Sequence, residues 1–217
     1  MAAEGTLRAM HPLIPTLRAA RIIPVVRTST AARAATAVAW LQEAGFRVFE
    51  ITMTVPEAPA LIRALAADPD LLVGAGTVPD ARAAATCIEA GARFLVAPWV
   101  DPSLSSVAQD GGACLMLGAM TPTEIRAALA AGADVVKIFP ANSAGGPQHI
   151  RALRAVFPDV AFCPTGGVDA RNAADYLAAG AACVGMGGRL VDEALIAAGE
   201  RAAVQRAAED ALGIMRA

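Results

Sequence analysis

Short runs of β-branched and other apolar residues alternate along this chain with longer alanine-rich stretches, and the unit recurs about every 20 to 26 residues. That alternation is the pattern of repeated βα units on a parallel sheet. Eight segments read as strands: Ile22 to Arg27, Val48 to Thr52, Leu72 to Thr77, Phe94 to Ala97, Cys114 to Leu117, Val135 to Phe139, Ala161 to Pro164 and Cys183 to Gly185. Helix-start signals follow most of them: Ser29-Thr30, Pro56-Glu57, Pro79-Asp80, Asp101-Pro102 and Thr121-Pro122-Thr123-Glu124. Each puts a capping side chain or a proline where a first helical turn begins. Gly45, Gly91, Gly132 and Gly180 fall where helices end, a few residues before the next strand. Eight such units close into an α/β fold, a (β/α)8 TIM barrel, at the short end of its size range. The expectation is a single domain spanning residues 1–217, with a short N-terminal helix.

Composition narrows what such a barrel does. Hydrophobic residues make up 56% of the chain but aromatics only 4%, so aliphatic and alanine side chains must build the core. A net charge of -2 lacks the basic footprint of a nucleic-acid binder and favours a small-molecule partner. Cys87, Cys114, Cys163 and Cys183 have no C-x-x-C spacing, and at least three lie in apolar, strand-like runs; they read as reduced core residues of a cytoplasmic protein. Glu4, Arg8, Pro12 and Pro15 interrupt the stretch where a signal peptide needs continuous apolar sequence. No apolar run reaches the roughly 18 residues of a membrane span.

Active sites of such barrels lie at the C-terminal ends of the strands, so polar residues there carry information. Lys137 interrupts the apolar run Val135-Val136-Lys137-Ile138-Phe139, and Glu50 interrupts Val48-Phe49-Glu50-Ile51. Strand parity puts Val135, Lys137 and Phe139 on one face, and Val48, Glu50 and Thr52 on one face. If both faces point inward, an amine and a carboxylate enter the same barrel mouth from opposite sides. A lysine in a closed interior is a candidate Schiff-base nucleophile, since desolvation disfavours the ammonium; the alternative is a rim lysine paired with a carboxylate. Glu50 is a candidate general base, or an ion-pair partner of Arg27 or Lys137.

Glycines mark the last two loops. Pro164-Thr165-Gly166-Gly167 and Gly185-Met186-Gly187-Gly188 follow the seventh and eighth strands, where barrels of this kind commonly bind phosphate through close backbone N–H groups. Arg189 either reinforces that anion site or solvates the next helix. Gly74-Ala75-Gly76-Thr77 lacks the third glycine of a dinucleotide loop, and His11 and His149 make no metal-binding spacing, so neither a nucleotide nor zinc is expected. His149 reads as the start of an outer helix.

Five motifs in order, Phe49-Glu50-Ile51-Thr52, Val73-Gly74-Ala75-Gly76-Thr77, Gly118-Ala119-Met120-Thr121-Pro122-Thr123-Glu124, Val136-Lys137-Ile138-Phe139-Pro140 and Cys163-Pro164-Thr165-Gly166-Gly167, resemble the class I 2-keto-3-deoxy-6-phosphogluconate / 4-hydroxy-2-oxoglutarate aldolases. The likeness runs from about Ile22 to Val191. It implies a homotrimer of (β/α)8 barrels that cleaves 2-keto-3-deoxy sugar acids to pyruvate and an aldehyde, with no metal or organic cofactor. Under it Lys137 forms the Schiff base and Glu50 moves the protons. Thr77, Pro98 and Phe139 match residues lining the pyruvate end; Thr165, Gly166 and Gly167 match the phosphate end, with Gly187 in the last phosphate loop. Two departures stand out. Thr54 occupies a position where some members carry an arginine for the substrate carboxylate, leaving Arg27 to supply the charge. Gly188 replaces a serine found in many members. The stretch from Lys137 to Pro158 also resembles 6-phosphogalactonate aldolases, so gluconate and galactonate configurations are both candidates. The competing reading is a phosphosugar epimerase or isomerase on the same barrel, working by acid/base chemistry without an imine.

Overall fold

The computed structural model of the chain describes residues 10–216, and Glu4 and Arg8 lie outside the described residues. A short helix α1 (Ile14–Ala20) leads into β1 (Ile22–Val26), α2 (Ala31–Ala44), β2 (Val48–Thr52), α3 (Ala58–Ala66), β3 (Leu72–Gly76) and α4 (Ala81–Glu89). The alternation continues through β4 (Phe94–Ala97), α5 (Ser103–Asp110), β5 (Cys114–Ala119), α6 (Pro122–Ala130), β6 (Val135–Ile138) and α7 (Gly146–Val156). It ends with β7 (Phe162–Pro164), α8 (Ala173–Ala178), β8 (Val184–Met186), α9 (Glu193–Ala197) and α10 (Arg201–Arg216).

Neighbouring strands pair in parallel in the order β7-β6-β5-β4-β3-β2-β1-β8. A single bridge, Thr165 to Gly185, joins the two outer members and brings the sheet round on itself. This is the expected (β/α)8 barrel. Strand ends differ from expectation by one or two residues. Arg27, Thr77 and Phe139 fall just beyond β1, β3 and β6, β5 runs on to Ala119, β7 begins at Phe162, and Gly185 and Met186 belong to β8.

Side-chain oxygens start several helices where the sequence calls for them. Thr30 and Asp80 accept from the backbone N–H of Arg33 and Ala83. Thr121 and Glu124 form a reciprocal capping box, satisfying donors that the helix itself cannot. Glu57 does not: it sits at the head of α3 in a left-handed conformation (φ 57°) with no capping bond, and Pro59 occupies the first turn instead. His149 lies in the first turns of α7, its ring Nε2 2.7 Å from the Met120 carbonyl oxygen.

Alternate residues of each strand feed two apolar layers. Outward ones such as Phe49, Ile51, Leu95, Leu117, Val136 and Phe162 pack against the helices. Inward ones, Ile23, Val48, Phe94, Met116 and Val135 among them, fill the barrel with Cys114, Cys163 and Cys183. Ile14 and Leu17 of α1 join that inner cluster, so α1 plugs the N-terminal mouth and leaves the other end open for chemistry. All four cysteines are buried and outside any disulfide. A hydrogen bond to Cys163 and burial push the Cys183 thiol well above its ordinary value; burial pushes Cys87 up to about 11. No helix of the described residues is long and apolar enough to cross a membrane.

Candidate active site

Parity carries Lys137 and Glu50 inward one step above the apolar layer, as the sequence predicts. Both are only 4% exposed, and Lys137 Nζ lies 3.6 Å from Glu50 Oε1. That oxygen is buried and accepts no hydrogen bond. At 3.6 Å the pair is too long for a direct hydrogen bond, which leaves the carboxylate available to a substrate proton or a bridging water. Gly76 makes room for it: a Cβ there would stand 2.0 Å from Glu50 Oε1. The glycines read against a dinucleotide loop thus have a steric function: Gly76 clears space for a carboxylate on the adjacent strand, and Gly74 for the Phe94 ring. Lys137 Nζ also sits 5.5 Å from the centroid of the Phe139 ring, within range of a cation–π attraction.

Above this pair opens a cavity of about 500 Å³. Arg27, Thr77, Pro98, Lys137, Phe139, Thr165, Gly166, Gly167, Gly187 and Gly188 all line it. Glu50 lies beneath, in reach of the wall through Lys137. Thr54 is not in the wall; its exposed side chain shares a 2.8 Å hydrogen bond with Thr52, whose hydroxyl also lies 3.2 Å from the Val26 carbonyl. Arg27 donates from Nη2 to Thr77 Oγ1 at 3.1 Å, which ties the ends of β1 and β3 together beside the lysine. Thr77 holds φ at 53°, a left-handed conformation that a β-branched residue keeps only where its surroundings enforce it, and such residues gather at functional sites.

The two glycine loops meet at the barrel seam. The Ala141 and Asn142 N–H groups donate to the carbonyls of Thr165 and Gly166, so the chain after β6 fixes the loop after β7. Gly167 takes φ 76°, and a Cβ there would lie 2.4 Å from Asn142 Cβ, a conformation and a fit that need glycine.

Sequence reasoning missed Asp169, which lines the same cavity and is 8% exposed. Arg171 grips both of its oxygens, and Arg189 Nε lies 3.5 Å from Oδ2. Hydrogen bonding from Arg171 holds the Asp169 carboxyl below its usual range. The available signal was a carboxylate two residues past a glycine pair with an arginine two residues further on. Among the described residues, no three His, Cys, Asp or Glu side chains are grouped to hold a metal ion.

Residues 13–207 match the family described as "Aldolase: KDPG and KHG aldolase". Over 197 residues the chain is 38% identical to a 2-dehydro-3-deoxy-phosphogluconate aldolase of Pseudomonas aeruginosa, covering 90% of this chain and 89% of that one. A KDPG aldolase from Legionella pneumophila, solved with pyruvate captured at low pH as a covalent carbinolamine intermediate, superimposes with a TM-score of 0.82 at 32% identity over 90% of this chain and 96% of the other. A native KDPGal structure gives a TM-score of 0.81 at 32% identity, covering 90% and 94%.

Proposed function

The chain belongs to the KDPG and KHG aldolase family, and we propose that it is a class I aldolase that cleaves 2-keto-3-deoxy-6-phosphogluconate, or a related 2-keto-3-deoxy sugar acid, to pyruvate and an aldehyde. The observation that carries this reading is a buried amine 3.6 Å from a buried carboxylate whose Oε1 accepts no hydrogen bond, beneath an open cavity. A non-catalytic ion pair has no use for that arrangement, because burying two charges costs more than a loose contact returns.

Lys137 adds as the free amine to the C2 ketone, and the carbinolamine takes up one proton from solvent and loses water to give a protonated imine that draws electrons from the C3–C4 bond. Glu50 takes the proton of the C4 hydroxyl through Oε1, directly or through one water, and the bond breaks. Glyceraldehyde 3-phosphate leaves. Glu50 then returns the proton to C3 of the enamine, and hydrolysis of the pyruvate imine frees Lys137. Arg27 and Thr77, with Pro98 and Phe139, receive the pyruvate part. Thr165 and the backbone amides of Gly166, Gly167, Gly187 and Gly188 receive the phosphorylated end. An imine sink needs no resident metal or organic cofactor.

The proposal extends to a single barrel domain over residues 1–217, a homotrimer, a cytoplasmic location and a place in Entner–Doudoroff carbohydrate breakdown. The family resemblance supports these. Pyruvate release from 2-keto-3-deoxy-6-phosphogluconate, followed with a lactate dehydrogenase couple, tests the activity. Turnover by the wild type and none by Lys137→Ala supports it; comparable turnover by both excludes the imine mechanism. Light scattering that gives the mass of one chain rather than three would remove the trimer.

A further inference from the structure

Arg189 stands in the wall between two cavities. One is the 500 Å³ site above Lys137; the other, about 330 Å³, is lined by Asp169, Arg171, Asp192 and Asp210. On the first side it adjoins Gly187 and Gly188, and nothing lies within 4 Å of where a Cβ on Gly188 would point. On the second side its Nε rests 3.5 Å from Asp169 Oδ2, a distance beyond a normal N–H···O bond. The Arg189 side chain is 73% exposed.

From this arrangement we infer that Arg189 is the specificity-determining cation for the phosphorylated end of the substrate, resting on Asp169 until the phosphate arrives and then exchanging that carboxylate for it. The inference rests on the aldolase reading above and names the residue that distinguishes phosphorylated from unphosphorylated sugar acids.

Two features make the exchange easy. The contact is long and its arginine is exposed, so it contributes little and its release costs little. Asp169 is not stranded by the departure, because Arg171 donates to both of its oxygens, from Nη2 at 2.7 Å to Oδ2 and from its backbone N–H at 2.9 Å to Oδ1. What Arg189 gains is larger. A phosphate dianion over the glycine amides of the last two loops accepts charge-assisted, bidentate hydrogen bonds from a guanidinium, the geometry for which arginine is suited. Gly188 offers no side-chain hydroxyl to that group, and the space it leaves open is the space Arg189 has to cross.

The test compares wild type, Arg189→Met and Arg189→Lys on 2-keto-3-deoxy-6-phosphogluconate and on 2-keto-3-deoxygluconate, with inorganic phosphate as a competitive inhibitor. Loss of the contact should raise KM for the phosphorylated substrate and Ki for phosphate about tenfold or more in Arg189→Met, with kcat little changed. The preference for the phosphorylated substrate should fall by the same factor, and Arg189→Lys should recover part of it. Unchanged discrimination and unchanged phosphate Ki in Arg189→Met would overturn the inference. Trapping of pyruvate on Lys137 by borohydride separates the two levels. If pyruvate is trapped but phosphate binding ignores Arg189, only the role of Arg189 falls. If wild type neither traps pyruvate nor cleaves either substrate, the aldolase reading falls and takes this one with it.

Discussion

The lower and upper halves of the barrel interior are built by the same strands with the same side-chain parity, yet they hold opposite chemistry. Two residues along each strand separate them, a rise of about 7 Å. On β2 Val48 is followed inward by Glu50, and on β6 Val135 is followed by Lys137. Met116 gives way to Gly118 and Cys183 to Gly185, while past the end of β7 Cys163 gives way to Thr165. Below, apolar side chains pack against each other and against Ile14 and Leu17 of α1. Above, glycines hollow the barrel and polar groups replace the packing. A parallel barrel can thus separate what holds it together from what reacts by changing the next inward residue on several of its strands, while β1 and β4 keep apolar Val25 and Val96 there.

Substitutions in the two halves should therefore fail in different ways. Lys137→Met should leave a cooperatively folding protein whose pyruvate release falls at least about 1,000-fold, because the covalent route is gone. Phe94→Ala, in the lower layer where Phe94 is fully buried, should cost about 3–5 kcal/mol of stability in chemical denaturation while the surviving folded protein keeps its kcat. A large loss of kcat in folded Phe94→Ala would break the separation. Glu50→Gln should slow turnover about 100-fold or more, the scale of a lost general base, while pyruvate still attaches to Lys137. Gly76→Ala sharpens the comparison further. Its methyl would displace the Glu50 carboxylate, so kcat should drop about tenfold or more in a protein that still binds substrate.

The smallest effect belongs to the outer rim. Glu193 accepts from the Ser29 hydroxyl and backbone N–H and from Arg33, joining α9 to the loop after β1. The Ser29 hydrogen bonds, with Arg33, lower its carboxyl to about 2 from an ordinary value near 4.5. A carboxyl depressed in the folded state contributes stability above its unfolded value, and that contribution fades as pH falls from about 4.5 toward 2. The melting temperatures of wild type and Glu193→Gln should accordingly differ modestly at pH 6 and converge by about pH 2. A gap that widens on acidification would contradict this.

Much of this was legible in the sequence because a parallel barrel repeats two periods. The period of two along a strand sufficed to aim Lys137 and Glu50 inward, and the alternation of strand and helix sufficed for the barrel. Strand ends were harder, since Arg27, Thr77 and Phe139 remain in extended-looking sequence after ladder pairing has stopped. Thr54 followed from positional likeness alone and proved to bond its neighbour Thr52 outside the cavity wall. Gly76 and Asp169 escaped for another reason: each acts through a contact with a residue distant in sequence or through the shape of a loop, and neither leaves a local pattern.

The most direct test of a reactive amine in the upper half is mass spectrometry of the protein after incubation with pyruvate and borohydride, with peptide mapping. The account predicts one reduced pyruvate adduct, on the peptide containing Lys137, retained in Glu50→Gln and absent from Lys137→Met. No adduct on folded wild type, or an adduct on any other peptide, would contradict it and leave Lys137 a charge in a binding site.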